Sequence, residues 1–341
     1  MPMFISCPEL NKIRLIKHAT DQWQKWRKYM SKKKILIIGS SNLDFTMNIY
    51  KLPEAGESIV DDGGVAYIPG GKGASAAIAF NRLGAESVFC AKLGADIHGQ
   101  KLYNYYKELG LNTAYIKVDH ENPTGLAVII KEGDGKARSV VFPGANAQLT
   151  TEIIMEAFEC NPDALYLGFE IPYPMVVAAA KVAASRNIPI FIDATAASKE
   201  LDLEKLPPVE VFSPNEQEAY ELTGIMPTSM ETSLRAALAI ARRSKAKNVV
   251  IKQGARGAFL YDRKRYNTFP AVRADKTVDT SGAGDAFTCA LTLEYLRNGG
   301  DIKEAIKYAN VAGAITVTRP GATSSIPTEE EINRFLYGDG Q

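Results

Sequence analysis

The stretch DTSGAGD, Asp279 to Asp285, sets a carboxylate directly after small residues and directly before an apolar run, Ala286 to Leu296, that predicts a helix. Small residues let the main chain come close to an anion, and the unpaired N–H groups of a helix's first turn point at it. The helix dipole favours negative charge at the same place. Donors for phosphoryl oxygens beside a proton acceptor for a hydroxyl are what transfer of phosphate to an alcohol needs. Taken alone, the stretch reads equally as a glycine-rich turn that caps a buried helix.

A scaffold has to hold such a cradle, and the chain's pattern describes one. Lys34 to Gly39 (KILIIG) is short, β-branched and apolar, as buried parallel strands are. Strand and helix patterns then alternate. SVFCAKLG precedes a helix from His98 to Leu109, and ALYLG (Ala164 to Gly168) precedes one from Pro174 to Ser185. IPIFID (Ile188 to Asp193) and EVFS (Glu210 to Ser213) follow, the latter running into the helix PNEQEAYELTG. A helix from Leu234 to Ser244 then leads to NVVIK (Asn248 to Lys252) and, past a turn, Ala258 to Tyr261. Such alternation implies a mostly parallel sheet flanked by helices. Asn42, Asp44, Glu170, Asp193 and Asn215 all follow strand ends, where open α/β sheets bind ligands. Asn42 and Asp44 also suit an Asx turn.

Two excursions interrupt the alternation. Phe45 to Ile68 carries the short pieces TMNIY, ESIV and VAYI, and Gly125–Lys131 is joined to Arg138–Phe142 by EGDGKA. These predict antiparallel strands that make one small β lid. Between them, Gly70 and Gly71 precede Lys72 and a small-residue helix to about Leu83. This is not a Walker A loop, because Ala66 and Gly73 stand where that motif needs a Gly and a Ser or Thr. Bare backbone there suits close approach of a polar ligand such as a sugar, or simply tight packing of the helix on a strand. Near the C-terminus, Ile302 to Val317 predicts an apolar helix and TRPGATSSIP a loop of carbonyls and hydroxyls. Glu329 to Leu336 predicts a last helix, with Thr328 and Glu331 forming a capping box.

The 341 residues suffice for a large core, and a net charge of +1 gives no field that would attract nucleic acid. Charge is uneven, however. Residues 1–34 hold nine Lys or Arg against Glu9 and Asp21, a balance of +7 that leaves the remainder at −6. Residues 1–33 read as a basic N-terminal extension, and 34–341 as one domain whose lid comes from about 45–68 and 124–143. In the extension, Leu10, Ile13, Ile16, Trp23, Trp26 and Tyr29 fall partly at helical spacing. A basic amphipathic helix for a membrane surface or partner is one reading; a poorly ordered leader is the other. Cys7, Cys90, Cys160 and Cys289 are scattered without CxxC spacing, which speaks against a zinc site or disulfide framework and fits a reducing cytoplasm. Three separated histidines make a histidine metal site or a Ser-His-Asp triad a poor fit. No apolar run reaches the roughly 18 residues of a membrane span, and the first residues do not form a signal peptide. A soluble, cytoplasmic protein is expected.

GGKGA (Gly70 to Ala74), PNEQEA (Pro214 to Ala219), QGARG (Gln253 to Gly257) and DTSGAGDAF (Asp279 to Phe287), in that order, resemble the ribokinase/PfkB family of carbohydrate kinases. The likeness runs from about Lys34 to Leu336. It implies a ribokinase-like three-layer αβα sandwich with a mostly parallel central sheet and a small β-sheet lid. It also implies ATP-dependent phosphorylation of a sugar's primary hydroxyl, with D-ribose the leading acceptor and D-ribose 5-phosphate the product. By the same resemblance Asp285 would be the base, and the N–H groups of Gly282, Ala283 and Gly284 the anion hole. Asn42, Asp44, Gly70, Gly71, Lys72 and Glu170 match sugar-holding positions. Nucleotide positions are matched by Asn215, by the turn Lys252, Gln253, Gly254, Ala255, Arg256 and Gly257, and by Gly284 and Asn310. Asn215 and Glu218 match the NxxE motif associated with magnesium and phosphate. Asp279, Ser281, Thr316, Arg319, Gly321 and Ser325 match a potassium loop that would order the anion hole. Lids paired between two subunits imply a homodimer; no nucleic acid or membrane partner is implied.

One position departs from the family pattern: Ser75 stands where these kinases usually carry an Asn of the sugar site. A shorter side chain with one donor leaves room for a different acceptor, such as deoxyribose, a fructose-type sugar or a nucleoside, because unpaired polar groups discriminate strongly. A non-catalytic sugar-binding protein is the reading from another class, and the intact GAGD with Asp285 counts against it. A dinucleotide oxidoreductase would need a GxGxxG after KILIIG, which is missing.

Overall fold

A computed structural model describes residues 32–133 and 137–338. The basic extension through residue 31 with its amphipathic pattern, and the middle of EGDGKA, lie outside the described residues. The strands are β1 (Lys34–Ile38), β2 (Asn42–Ile49), β3 (Val65–Gly70), β4 (Glu86–Gly94), β5 (Ile116–Asp119), β6 (Gly125–Glu132) and β7 (Ala137–Phe142). They continue as β8 (Ala164–Leu167), β9 (Ile190–Asp193), β10 (Val211–Ser213), β11 (Asn248–Lys252), β12 (Ala258–Tyr261) and β13 (Tyr266–Phe269). The α-helices are α1 (Lys72–Arg82), α2 (Ile97–Glu108), α3 (Thr151–Ala157), α4 (Tyr173–Ser185) and α5 (Glu216–Thr223). After them come α6 (Met230–Ser244), α7 (Ala283–Arg297), α8 (Ile302–Thr316) and α9 (Glu329–Tyr337).

Nine strands form the central sheet in the order β13-β12-β11-β10-β9-β8-β1-β4-β5. From β11 to β5 every pairing is parallel, and β12 and β13 add an antiparallel hairpin at one edge. Successive side chains of a strand point to opposite faces, so β1 sends Ile35 and Ile37 into one core and Leu36 and Ile38 into the other. The first core is closed by α1, α2, α7, α8 and α9, the second by α3, α4, α5 and α6. Each fully buried Ile, Leu or Phe contributes roughly 1.5–3 kcal/mol. In α7 every residue from Asp285 to Tyr295 is buried. A helix apolar on all sides is what such a position requires, which explains why the run after Asp285 shows no polar stripe. It gives Asp285 a rigid base.

The lid is a separate four-stranded sheet, β3-β2-β6-β7. Two expectations about it need correction. The piece ESIV forms no strand, and the sheet is not wholly antiparallel: β2 and β6 run parallel. Asn42 and Gly125 are register partners, so both excursions leave the body side by side and their outgoing strands must point the same way. Only the returns, β3 and β7, are antiparallel. Asn42 and Asp44 therefore lie on the first lid strand rather than in an Asx turn. The pattern also passed over α3, β5 and β13, all short.

Candidate active site

The first turn of α7 begins at Gly282, whose φ of 76° is left-handed. A Cβ at Gly282 would lie 2.3 Å from the Ala322 carbonyl oxygen, so only glycine lets this turn seat against the 316–325 loop. The Ala286 N–H closes the turn on Gly282 O at 2.8 Å, and the Ala283 N–H makes a long 3.3 Å bond to Thr280 O. Asp285 follows in this turn and is 6% exposed. Lys72, the first residue of α1, crosses to it: Nζ donates to Oδ1 at 3.0 Å and Oδ2 at 3.2 Å. The Asp285 charge lifts Lys72 well above the usual lysine range. Two helix starts far apart in sequence thus meet at one carboxylate.

On one side of this pair lie the residues expected to hold a sugar. Glu170, just past β8, accepts from the Lys72 main-chain N–H at 2.9 Å and from Ser40 Oγ at 2.6 Å, both through Oε2. Gly70 closes β3 and Gly71 caps α1, with Gly70 paired to Asn42 and Ile68 to Asp44. Burial, then the Glu170 charge, pushes Asp44 up to about 6 against the pull of Lys72. An acid raised in this way is more easily protonated in the folded protein than in the unfolded chain. Its protonation therefore favours folding, and it proceeds as pH falls through about 6. For recognition the sign is opposite, because a protonated carboxyl loses acceptor capacity for hydroxyls. We expect the KM for the sugar to rise as pH falls from neutral through about 6. Initial rates at saturating ATP measure it, and Asp44→Asn is expected to abolish the dependence. Ser75 is buried in α1 and its N–H donates to Gly71 O at 2.9 Å; it does not line the cleft described next.

On the other side a cleft of about 1060 Å³ opens. Lys72, Gly284 and Asp285 line it together with Asn215, Glu218, Lys252, Gly254, Ala255, Gly257 and Asn310. Asn215 caps α5 reciprocally: its Oδ1 accepts the Glu218 N–H at 2.8 Å, while Glu218 Oε2 accepts the Asn215 N–H at 2.7 Å. Burial pushes the Glu218 carboxyl above its ordinary value, against Lys252. Lys252 Nζ donates to Asp193 Oδ1 at 2.6 Å and Thr288 Oγ1 at 3.1 Å, tying the ends of β9 and β11 to α7. Two side chains of the turn expected to meet a nucleotide are bonded within the protein. Gln253 Nε2 donates to Pro227 O and Ser233 Oγ, and Arg256 to Thr228 O, Pro227 O and Glu216. Asn310 Nδ2 donates to Pro270 O at 3.1 Å.

The residues of the expected cation loop meet in part: Asp279 bonds Ser281 and Gly321, and the Arg319 N–H donates to Thr316 O at 3.3 Å. Asp279 Oδ1 accepts the Ser281 N–H at 2.9 Å and Oδ2 the Gly321 N–H at 3.0 Å. Thr316 and Ser325 hydroxyls donate to Ala312 O and Ala322 O. The Arg319 guanidinium is drawn away to Glu331 at 2.6 and 3.2 Å. Among the described residues no group of three or more His, Cys, Asp or Glu is placed to hold a metal, and no helix is long and apolar enough to cross a membrane.

Ser40, Thr288 and Asn146, which bond Glu170, Lys252 and Asn42, were passed over in the sequence. Ser40 stands in the Gly-Ser-Ser turn after β1, Thr288 is a hydroxyl inside an apolar run, and Asn146 sits in a turn after the lid with no motif around it. The only hint for Asn146 was its place just beyond the second excursion.

A profile of pfkB family carbohydrate kinases matches residues 32–329. Ribokinase of Staphylococcus aureus (strain COL) is 30% identical over 306 residues, which is 88% of this chain and 99% of that protein. The bifunctional ribokinase/ribose-5-phosphate isomerase A of Fructilactobacillus sanfranciscensis is 33% identical over 309 residues; the chain matches 90% of itself to it but spans only 57% of that longer protein. Among solved structures, Arabidopsis thaliana ribokinase complexed with ribose and ATP is 27% identical with a TM-score of 0.78, covering 90% of this chain and 99% of that one.

Proposed function

The chain belongs to the pfkB family of carbohydrate kinases, and we propose that it transfers the terminal phosphate of ATP to the primary hydroxyl of D-ribose, giving D-ribose 5-phosphate. The observation that carries this reading is the place of Asp285: in the first turn of α7, held by the Nζ of Lys72, whose main-chain N–H donates to Glu170, and lining one cleft together with Asn215 and Glu218. The kinase relatives named for ribose, and the solved neighbour holding ribose with ATP, support the choice of sugar.

Asp285 accepts the proton from the attacking hydroxyl as its oxygen bonds to phosphorus and the bond to ADP breaks. The first-turn N–H groups at Gly282 to Gly284 take the charge of the transferring phosphoryl. Lys72 holds the Asp285 carboxylate in place and supplies a cation at the same point. Little covalent chemistry is asked of the protein, so positioning and electrostatics suffice. ATP-dependent transfer needs magnesium, which would neutralise charge on the phosphates. The donor set fits it. Magnesium keeps waters and phosphate ligands and asks for one or two carboxylates, and Glu218 offers a half-buried one whose Oε1 has no protein donor among the described residues. Glu218, beside Asn215, would hold the ion directly or through water. Lid closure over the sugar would exclude water from the phosphoryl.

Potassium is assigned to the loop of Asp279, Ser281, Thr316, Arg319, Gly321 and Ser325, with Arg319 contributing main-chain oxygen because its side chain is committed to Glu331. Oxygen-rich loops suit hard cations. The contact of Gly282 with Ala322 joins this loop to the anion hole, so ordering one orders the other. A homodimer through the lid is supported by one sheet face on which Phe45, Met47, Val65, Tyr67, Val128, Val140 and Phe142 fall in register; Val65, Tyr67, Val140 and Phe142 are exposed. Pairing would cover them and the sheet edges. A cytoplasmic setting accords with free Cys90, Cys160 and Cys289.

Initial rates with D-ribose, 2-deoxy-D-ribose, D-fructose and a nucleoside, each in potassium and in sodium, test the reading. Potassium-stimulated turnover highest with D-ribose is expected. A different preferred acceptor would make Ser75 the seat of altered specificity, and tight binding without turnover would favour a sugar-binding protein.

A further inference from the structure

Asn42 has a donor and an acceptor to offer a sugar, and its surroundings dictate which one is left over. Asn146, in the short turn Gly144–Gln148 just after β7, is 2% exposed. Its Oδ1 accepts the Ser41 main-chain N–H at 2.8 Å. Its Nδ2 lies 2.9 Å from Pro143 O, 3.1 Å from Ser41 O and 2.8 Å from Asn42 Oδ1. This amide can take only one orientation, because a carbonyl oxygen cannot donate and a main-chain N–H cannot accept. Facing an N–H, Asn42 must in turn point its oxygen at Asn146. Its Nδ2 is left with no protein acceptor among the described residues. Gly125 packs over the pair: a Cβ there would fall 2.2 Å from both Asn146 Nδ2 and Asn42 Oδ1.

We propose that Asn146 is a positioning residue for acceptor recognition: it fixes the polarity of Asn42, so that Asn42 reads one sugar oxygen as a donor. Asp44 and Glu170, both carboxylates, read other hydroxyls as acceptors, which gives the pocket a mixed pattern that a single carboxylate-lined wall would lack. Asn146 also bonds Ser41 and Pro143, where β1 hands over to β2 and where β7 returns, so the same amide ties acceptor reading to the root of the lid. The inference rests on the sugar-kinase reading.

The test is a cycle between protein and ligand, using ribose analogues that each lack one hydroxyl other than the one phosphorylated. In the wild type, one analogue should lose about tenfold in kcat/KM for the missing bond to Asn42, identified as the loss that disappears in Asn42→Ala. In Asn146→Ala that same loss is expected to shrink to about twofold, while losses at hydroxyls read by Asp44 and Glu170 persist. The KM for the sugar should rise about tenfold with the KM for ATP unchanged. Asn146→Asp, close in size and still an acceptor for the Ser41 N–H, gives the same readout should the alanine variant fail to fold. An unchanged pattern of losses in a folded Asn146 variant, or a rise in both KM values together, would overturn the proposal. A wild type that turns over no sugar in the panel would instead overturn the kinase reading on which it rests.

Discussion

Asp285→Asn is expected to lower kcat by about 10²–10⁴-fold, the usual worth of general-base assistance, with the KM for the sugar little changed. The substitution is close in shape and leaves the buried helix α7 intact. It replaces one carboxylate oxygen facing Lys72 Nζ, now at 3.0 and 3.2 Å, with an amide that cannot accept a proton. Sugar affinity should survive because Glu170, Asp44 and Asn42 are fixed by β8, the lid and Asn146 rather than by Asp285. Steady-state kinetics with the acceptor varied separates the two parameters. Near-wild-type kcat would remove Asp285 from the chemistry, and a large rise in KM alone would make it a binding residue.

Gly282→Ala is expected to cost about 10²–10³-fold in kcat, the range seen when one anion-hole donor is displaced. Two effects combine. At φ 76° an alanine carries a left-handed penalty of about 1–2 kcal/mol. Its Cβ would also lie 2.3 Å from Ala322 O, so either the α7 start or the 316–325 loop must move. Both moves displace the N–H groups that meet the phosphoryl, whereas Lys72, Glu170 and the lid stay where they are. A loss confined to kcat, with the sugar KM retained, is the expected signature. If the proposed potassium loop orders this turn, the variant should also lose its response to potassium.

What the sequence revealed and what it hid follow from physics at particular residues. The parallel sheet was legible because β-branched runs such as KILIIG and NVVIK are buried on both faces and carry no alternation. The start of α7 was legible because small residues pass directly into an apolar run, while the turn's chemistry was not, since the same pattern caps an ordinary buried helix. The lid's strand direction was not, since it depends on both excursions leaving from Asn42 and Gly125 side by side, a tertiary fact. Likewise the Lys72–Asp285 pair joins residues 213 apart, and nothing local to either predicts it. In the turn from Lys252 to Gly257 the motif marks the main chain, while the Gln253 and Arg256 side chains hold the Pro227–Thr228 loop. Asn146 stayed hidden because its role is to orient another amide, which leaves no mark in residue type or spacing.

The most direct measurement is ATP consumption by the purified protein with D-ribose against 5-deoxy-D-ribose, in potassium and magnesium. If Asp285 deprotonates the primary hydroxyl, D-ribose supports rapid turnover, whereas the 5-deoxy sugar supports none and competes with D-ribose for binding. Equal turnover with the two sugars, or none with D-ribose while another acceptor is phosphorylated, would contradict the assignment.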